Sequence, residues 1–207
     1  MQLQLRPGLI YHPGFLDRAR QNEILALVRA AAEAAPPFHP VMPRTGKPFS
    51  VKMTNLGPLG WVSDRAGYRY QSAHPVTGRP WPPIPPEILA VWRAVAGWPG
   101  DPEACLVNFY RPEAKMGLHQ DVDEAEFAAP VVSVSLGDDA LFRIGGLSRQ
   151  GPTESLRLKS GDVLVMGGES RKIHHAVARI YPGTSTLLGT PGRINLTLRR
   201  VTALRPV

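Results

Sequence analysis

The 207-residue chain has a single cysteine, Cys105. No intramolecular disulfide can form, and no cysteine-rich zinc site can be assembled. Cys105 sits in the apolar run CLVNFY, where a buried core residue is expected. No stretch approaches the ~18 consecutive apolar residues that a membrane span requires. The opening MQLQLRPGLIYHPGFL holds no uninterrupted apolar segment of the signal-peptide kind. A soluble, cytoplasmic protein with no membrane partner is therefore expected. Acidic residues are also scarce, with 17 Asp and Glu against 24 Lys and Arg, a net charge of +7. That imbalance suits a polyanionic partner such as nucleic acid, although a surplus of solubilising arginine would give the same figure. There is no internal repeat and no low-complexity tract.

Hydrophobic residues make up 43% of the chain, enough for a core and against global disorder. The length suits one domain. Proline (22) and glycine (20) together form about a fifth of the residues, which fits a loop-rich β protein better than a helical bundle. Residues 17 to 35 predict the clearest helix, with Asp17 as N-cap and Ile24, Leu25, Leu27 and Val28 as its apolar stripe. Pro36 and Pro37 end it. Residues 36 to 86 read as a long irregular stretch whose aromatics, Trp61, Tyr68, Tyr70 and Trp81, argue against disorder. A second helix is predicted over 85–96.

From 104 onward the pattern turns to strands. ACLVNFY reads as a buried strand, PVVSVSL (130–136) and ALFRI (140–144) as a hairpin around GDD, and SLRLKSGDVLVMGG as two strands around a turn. RINLTLRRV (193–201) alternates cleanly. A helix first and many short strands after it suggest an α+β fold, a β-sandwich or jelly roll with helices on one side.

The stretch GLHQDVDE (117–124) is either an acidic loop or part of a metal site. On a strand, His119 and Asp121 would share a face about 6.5–7 Å apart. A third ligand would have to come from His12, His39 or His74 in the N-terminal loops, or from the His174–His175 pair. Adjacent residues on an extended segment face opposite ways, so only one of that pair could join. Two histidines and one carboxylate form the facial triad of non-haem Fe(II) oxygenases. In RINLTLRR, Arg193, Asn195, Thr197 and Arg199 share one face. They form either a wet outer face or an anion-binding strand whose two guanidiniums each fork onto a carboxylate.

MTNLGPLGW, NFY…GLHQDVDE, PVVSVSLG, FRIGGLSR, GDVLVMGGESR with its trailing HH, and RINLTLR together resemble the AlkB family of Fe(II)- and 2-oxoglutarate-dependent dioxygenases, which repair alkylated nucleobases. The resemblance spans roughly residues 50 to 201. It implies a double-stranded β-helix (jelly-roll) core over 104–201, within one domain of 1–207. The flanking N-terminal helices would fall in 1–98, with an aromatic-rich nucleotide-recognition lid at about 45–82. It implies His119, Asp121 and His175 as iron ligands. It implies Asn108, Tyr110, Arg193, Asn195, Thr197 and Arg199 as 2-oxoglutarate ligands, and Trp61, Tyr68, Tyr70, Asp123 and Arg149 as substrate contacts. His174 and Glu124 are expected to be structural and surface residues, and Gln120 and Val122 to pack away from the site.

The implied reaction uses O2 and converts 2-oxoglutarate to succinate and CO2. An N-alkyl group of the 1-methyladenine or 3-methylcytosine type leaves as an aldehyde, from DNA that is single-stranded or has the base flipped, with RNA as a second candidate. A monomer is expected. The alternative is a 2-oxoglutarate-dependent hydroxylase or demethylase of a protein or small molecule. Two positions depart from the bacterial pattern. Met166 stands where an aromatic is familiar, and Phe109 where a basic residue is.

Overall fold

The computed structural model describes residues 1–203, so the last four residues of the expected 1–207 domain lie outside the described residues. The chain begins with two strands, β1 (Leu3–Arg6) and β2 (Leu9–His12), before the helix α1 (Arg18–Ala34). The helix-first reading missed them. They are four residues each and pair with one another, and β2 joins the sheet by pairing with a strand some 150 residues later, a partner that local pattern does not reveal. The cap of α1 is as expected: the Asp17 carboxylate accepts from the Arg20 amide at 2.8 Å.

The stretch expected to be irregular contains β3 (Lys52–Leu56), β4 (Gly60–Asp64) and β5 (Gly67–Gln71). β4 and β5 form a separate two-stranded hairpin. Their alternation is weak because polar side chains there serve the backbone. Asn55, for example, holds both the amide and the carbonyl of Trp61 at 3.0 Å. The second helix, α2 (Pro86–Val95), opens on prolines as predicted.

The core strands follow: β6 (Ala104–Tyr110), β7 (Met116–His119), β8 (Val131–Gly137), β9 (Asp139–Ile144), β10 (Glu154–Leu158), β11 (Val163–Met166), β12 (His175–Tyr181) and β13 (Arg193–Arg199). They make two antiparallel sheets. The larger runs β1-β2-β11-β8-β13-β6-β3 and the smaller β10-β9-β12-β7. Facing sheets with helices on one side are the jelly-roll core that the sequence predicts.

The GDD segment is not a hairpin. β8 lies in the larger sheet and β9 in the smaller, so Asp138 is the corner where the chain changes sheets. The Asp138 carboxylate accepts from the amides of Ser185 and Gly192, and its own amide bonds the Gly192 carbonyl. Gly137 has φ +87, and a Cβ there would sit 2.7 Å from the Gly192 oxygen.

The alternation of the larger sheet splits the core in two. One face meets the helices: Ile194, Leu196 and Leu198 of β13 and Cys105 and Val107 of β6 pack with Ile24, Val28, Ile88 and Trp92. The other face meets the smaller sheet, with Leu106, Tyr110, Leu164 and Met166 against Phe142, Ile144 and Val177. All seven residues of β13 are buried. Its polar side therefore faces the space between the sheets, and the wet-outer-face reading is excluded.

Candidate active site

Sheet register brings the candidate ligands together. β12 pairs with β7 so that His175 lies directly opposite His119, with ring centroids 4.4 Å apart. β7 ends at His119, so Asp121 is two residues beyond the strand and not on it as expected. It still reaches the same point. Its carboxylate oxygens lie 3.9 Å from Nε2 of His119 and 3.9 Å from Nε2 of His175. One ligand atom from each residue lies within 4.8 Å of the others, and among the described residues this is the group placed to hold a metal.

The donor set fits Fe(II). Nδ1 of His119 sits 2.8 Å from the Gly117 carbonyl and Nδ1 of His175 3.2 Å from that of Ile173. Each ring thus carries its proton on Nδ1 and leaves the Nε2 lone pair for an ion. Burial, then the neighbouring His119, pushes His175 down to about 4, so it is neutral at pH 7. Burial works the other way on Asp121, but Arg199, His175 and His119 outweigh it and hold the carboxylate well below its usual range. Two imidazole nitrogens and one carboxylate suit Fe(II) and leave positions open for other ligands.

The other histidines are elsewhere. His174 turns to the Gly146 carbonyl, and His74 packs against Trp81 and Phe38. His39 is bonded to the Phe49 carbonyl. His12 is the last residue of β2 and not a loop residue.

A cavity of about 490 Å³ opens over the three residues. One wall is the polar side of β13 with its neighbours on β6. The register sets Arg193 beside Tyr110 and Asn195 beside Asn108. Arg193 is 1% exposed, and its Nη2 donates to Ser135 Oγ at 2.6 Å. Among the described residues, its Nε and the Asn108 Oδ1 have no partner. An unpartnered buried guanidinium N–H on the cavity wall, at Arg193, fits an anion such as 2-oxoglutarate. At the far end, Arg199 pairs with Asp121 at 2.9 Å.

The hairpin β4–β5 covers the mouth. Trp61 and Tyr68 stack at 5.7 Å with an interplanar angle of 17°, and the Trp61 indole donates to Asp123 at 2.7 Å. Arg149 joins the rim from an exposed loop. Tyr70 is turned inward, and its hydroxyl donates to Glu124. Val122, expected to pack, is 44% exposed on the rim. The Gln120 amide bonds the Lys172 carbonyl. Met166 lines the cavity, whereas Phe109 packs on the helix side of the sheet, so only the first of the two departures touches the site.

Glu124, expected at the surface, has a side chain only 1% exposed, paired with Arg171 at 3.0 Å. Sequence pattern missed both residues. Glu124 ends an acidic run that reads as solvated, and Arg171 resembles any loop arginine. The burial arises from tertiary packing alone.

Comparison with known proteins agrees with this geometry. The family model described as the 2OG-Fe(II) oxygenase superfamily matches residues 8–199. The chain is 53% identical over 198 residues to the alpha-ketoglutarate-dependent dioxygenase AlkB homolog of Caulobacter vibrioides, covering 96% of this chain and 90% of that one. It is 44% identical over 203 residues to AlkB of Escherichia coli, covering 96% and 93%. The solved structure of OsALKBH1 superposes with a TM-score of 0.80 at 33% identity, over 97% of this chain and all of that one. The chain thus belongs to the 2OG-Fe(II) oxygenase superfamily, among its AlkB-type alpha-ketoglutarate-dependent dioxygenases.

Proposed function

We propose that this dioxygenase removes alkyl groups of the 1-methyladenine and 3-methylcytosine type from DNA bases, with RNA as a second substrate, acting as a monomeric single-domain enzyme in the cytoplasm. One observation carries the reading: a flat aromatic stack and an acidic acceptor stand at the mouth of a cavity whose floor is a His-Asp-His cluster. The lone cysteine suits a reducing compartment.

His119, Asp121 and His175 hold Fe(II). Asn108 and Tyr110 would hydrogen-bond 2-oxoglutarate, and Arg193, Asn195, Thr197 and Arg199 would take its two carboxylate ends. Iron bound there would, with 2-oxoglutarate and O2, supply the oxidation of the N-alkyl carbon, with succinate and CO2 and then an aldehyde as products.

The protein's own task is placement. A base inside a duplex cannot reach the cavity floor, so it enters from a single strand or is flipped. Trp61 and Tyr68 offer it stacking surfaces, worth about 1–3 kcal/mol per base. Asp123, already an acceptor for Trp61, accepts from the exocyclic amino group of the base. Arg149 on the rim and the net charge of +7 favour the phosphate backbone, which makes binding salt-dependent. The aromatic cover and the positive charge favour a nucleobase over the alternative, a protein or small-molecule substrate.

The test supplies Fe(II), ascorbate and 2-oxoglutarate with single-stranded DNA bearing 1-methyladenine or 3-methylcytosine. Restored adenine or cytosine is expected. No restoration by protein that binds iron and 2-oxoglutarate would pass the case to the alternative substrates.

A further inference from the structure

Glu124 adjoins Asp123 in sequence and also lines the cavity, but its side chain is turned into the protein. Its carboxylate is enclosed by three groups from three different elements. Arg171, 2% exposed, donates Nη2 to Oε2 at 3.0 Å. The same guanidinium holds the Asp121 carbonyl at 2.8 Å and the Ala129 carbonyl at 2.9 Å. Arg199 brings Nε to within 3.4 Å of Oε1 while its Nη2 holds Asp121. Tyr70, on the hairpin β5, donates its hydroxyl to Oε1. Burial, the largest influence, keeps that hydroxyl protonated, so it is a fixed donor.

The charges balance: two buried guanidiniums face two buried carboxylates, Asp121 and Glu124. Without the Glu124 charge, Arg171, which meets Asp121 only at its carbonyl, would keep no carboxylate partner, and Arg199 would keep Asp121 alone. Arg199 already holds Asp121 through Nη2, so it would lose the second anchor that Glu124 gives its Nε and with it its fixed set against the cavity, and the hairpin would lose its tie to the core. A buried guanidinium left short of its partner is strongly disfavoured, so the rearrangement has a driving force.

We propose that Glu124 is a positioning residue that keeps Arg199 turned to the 2-oxoglutarate carboxylate and, through Tyr70, couples closure of the β4–β5 hairpin to that arginine. It rests on the reading of Arg199 as a 2-oxoglutarate ligand. Such a coupling between sites typically amounts to 5–150-fold in affinity.

The experiment uses the full chain loaded with Mn(II), which occupies the site without turnover. Calorimetry gives the 2-oxoglutarate dissociation constant, and amide hydrogen exchange follows residues 60–71. Glu124→Gln, Tyr70→Phe and the double variant are compared with wild type. Glu124→Gln is expected to weaken 2-oxoglutarate about tenfold, with Mn(II) affinity little changed, and to speed hairpin exchange by a similar factor. Tyr70→Phe should reproduce the hairpin effect, and the double variant should exchange little faster than Glu124→Gln, because Tyr70 acts chiefly through its bond to Glu124, the direct contact from Arg199 Nη1 to its hydroxyl being 3.5 Å long. A merely structural role would lower the melting temperature with 2-oxoglutarate affinity unchanged, and that result overturns the proposal. If Glu124→Gln does not fold, Tyr70→Phe decides: unchanged exchange and affinity overturn it. If wild type fails to bind 2-oxoglutarate, the functional reading fails separately, and hairpin exchange still decides the coupling.

Discussion

Replacing Arg193 by methionine should separate a ligand-binding arginine from a structural one. Burial drags the guanidinium down to about 10, only partly offset by Tyr110, Asp162 and Asp139. The folded protein thus holds this charge at a penalty on the order of 3 kcal/mol. Against that stands one good hydrogen bond, to Ser135 Oγ at 2.6 Å, worth roughly 1.5–3 kcal/mol. Arg193→Met removes both, so the ligand-free protein should keep its stability to within about 2 kcal/mol.

The ligand response should differ sharply. A ligand at 100 times its dissociation constant stabilises by about 2.7 kcal/mol. With about 2.1 cal/mol/K of unfolding entropy per residue, the 207 residues turn that into a rise of about 6 °C. Losing two charge-assisted hydrogen bonds to a carboxylate should cost about 3 kcal/mol, a factor of about 150. At the same 2-oxoglutarate concentration, the rise in the variant should then shrink to about 1 °C or less. Differential scanning fluorimetry of Mn(II)-loaded protein, with and without 2-oxoglutarate, measures both quantities. A full 6 °C rise in Arg193→Met, or a collapse of the ligand-free protein by 5 kcal/mol, would refute the reasoning.

The two adjacent histidines should behave differently: His175→Ala abolishes stoichiometric Fe(II) binding, whereas His174→Ala, which loses only a contact to the Gly146 carbonyl, retains it, as read by metal titration. Glu103 clamps the segment after β13, accepting from the Val201 amide at 2.9 Å and from the Thr202 amide and hydroxyl at 2.7 and 2.6 Å. Burial raises its pKa, but those bonds and Arg200 outweigh it, leaving a net depression. Its stabilisation is therefore present above the unfolded-state value near 4.3 and is lost as pH falls through the folded one. Glu103→Gln should cost roughly 1–2 kcal/mol at pH 7, and chemical denaturation should show the gap to wild type closing as the pH falls below about 4.

How far the sequence spoke depended on whether the signal was local. The cap at Asp17, the proline start of α2 and the alternation of β13 are written into short windows, and each formed as read. The sheet corner at Asp138 was misread because a Gly-Asp-Asp turn looks the same whether the next strand pairs back or crosses to the facing sheet. β2 is missed because its pairing with β11 is long-range, β1 because it is a four-residue edge strand held on β2, and the β4–β5 hairpin because side-chain-to-backbone bonds support it. The site shows the same division. The two faces of β13 were legible from period alone, and the choice of His175 over His174 came from family register and not from spacing. Glu124 was misplaced because its burial is created by Arg171 and Arg199 arriving from other elements.

The most direct measurement counts products. With single-stranded DNA carrying 1-methyladenine, succinate, formaldehyde and restored adenine should accumulate one for one, and unmethylated DNA should leave only slow succinate release. Succinate formed at the same rate with and without the methyl group, with no restored base, would contradict the account of this enzyme as a nucleobase dealkylase.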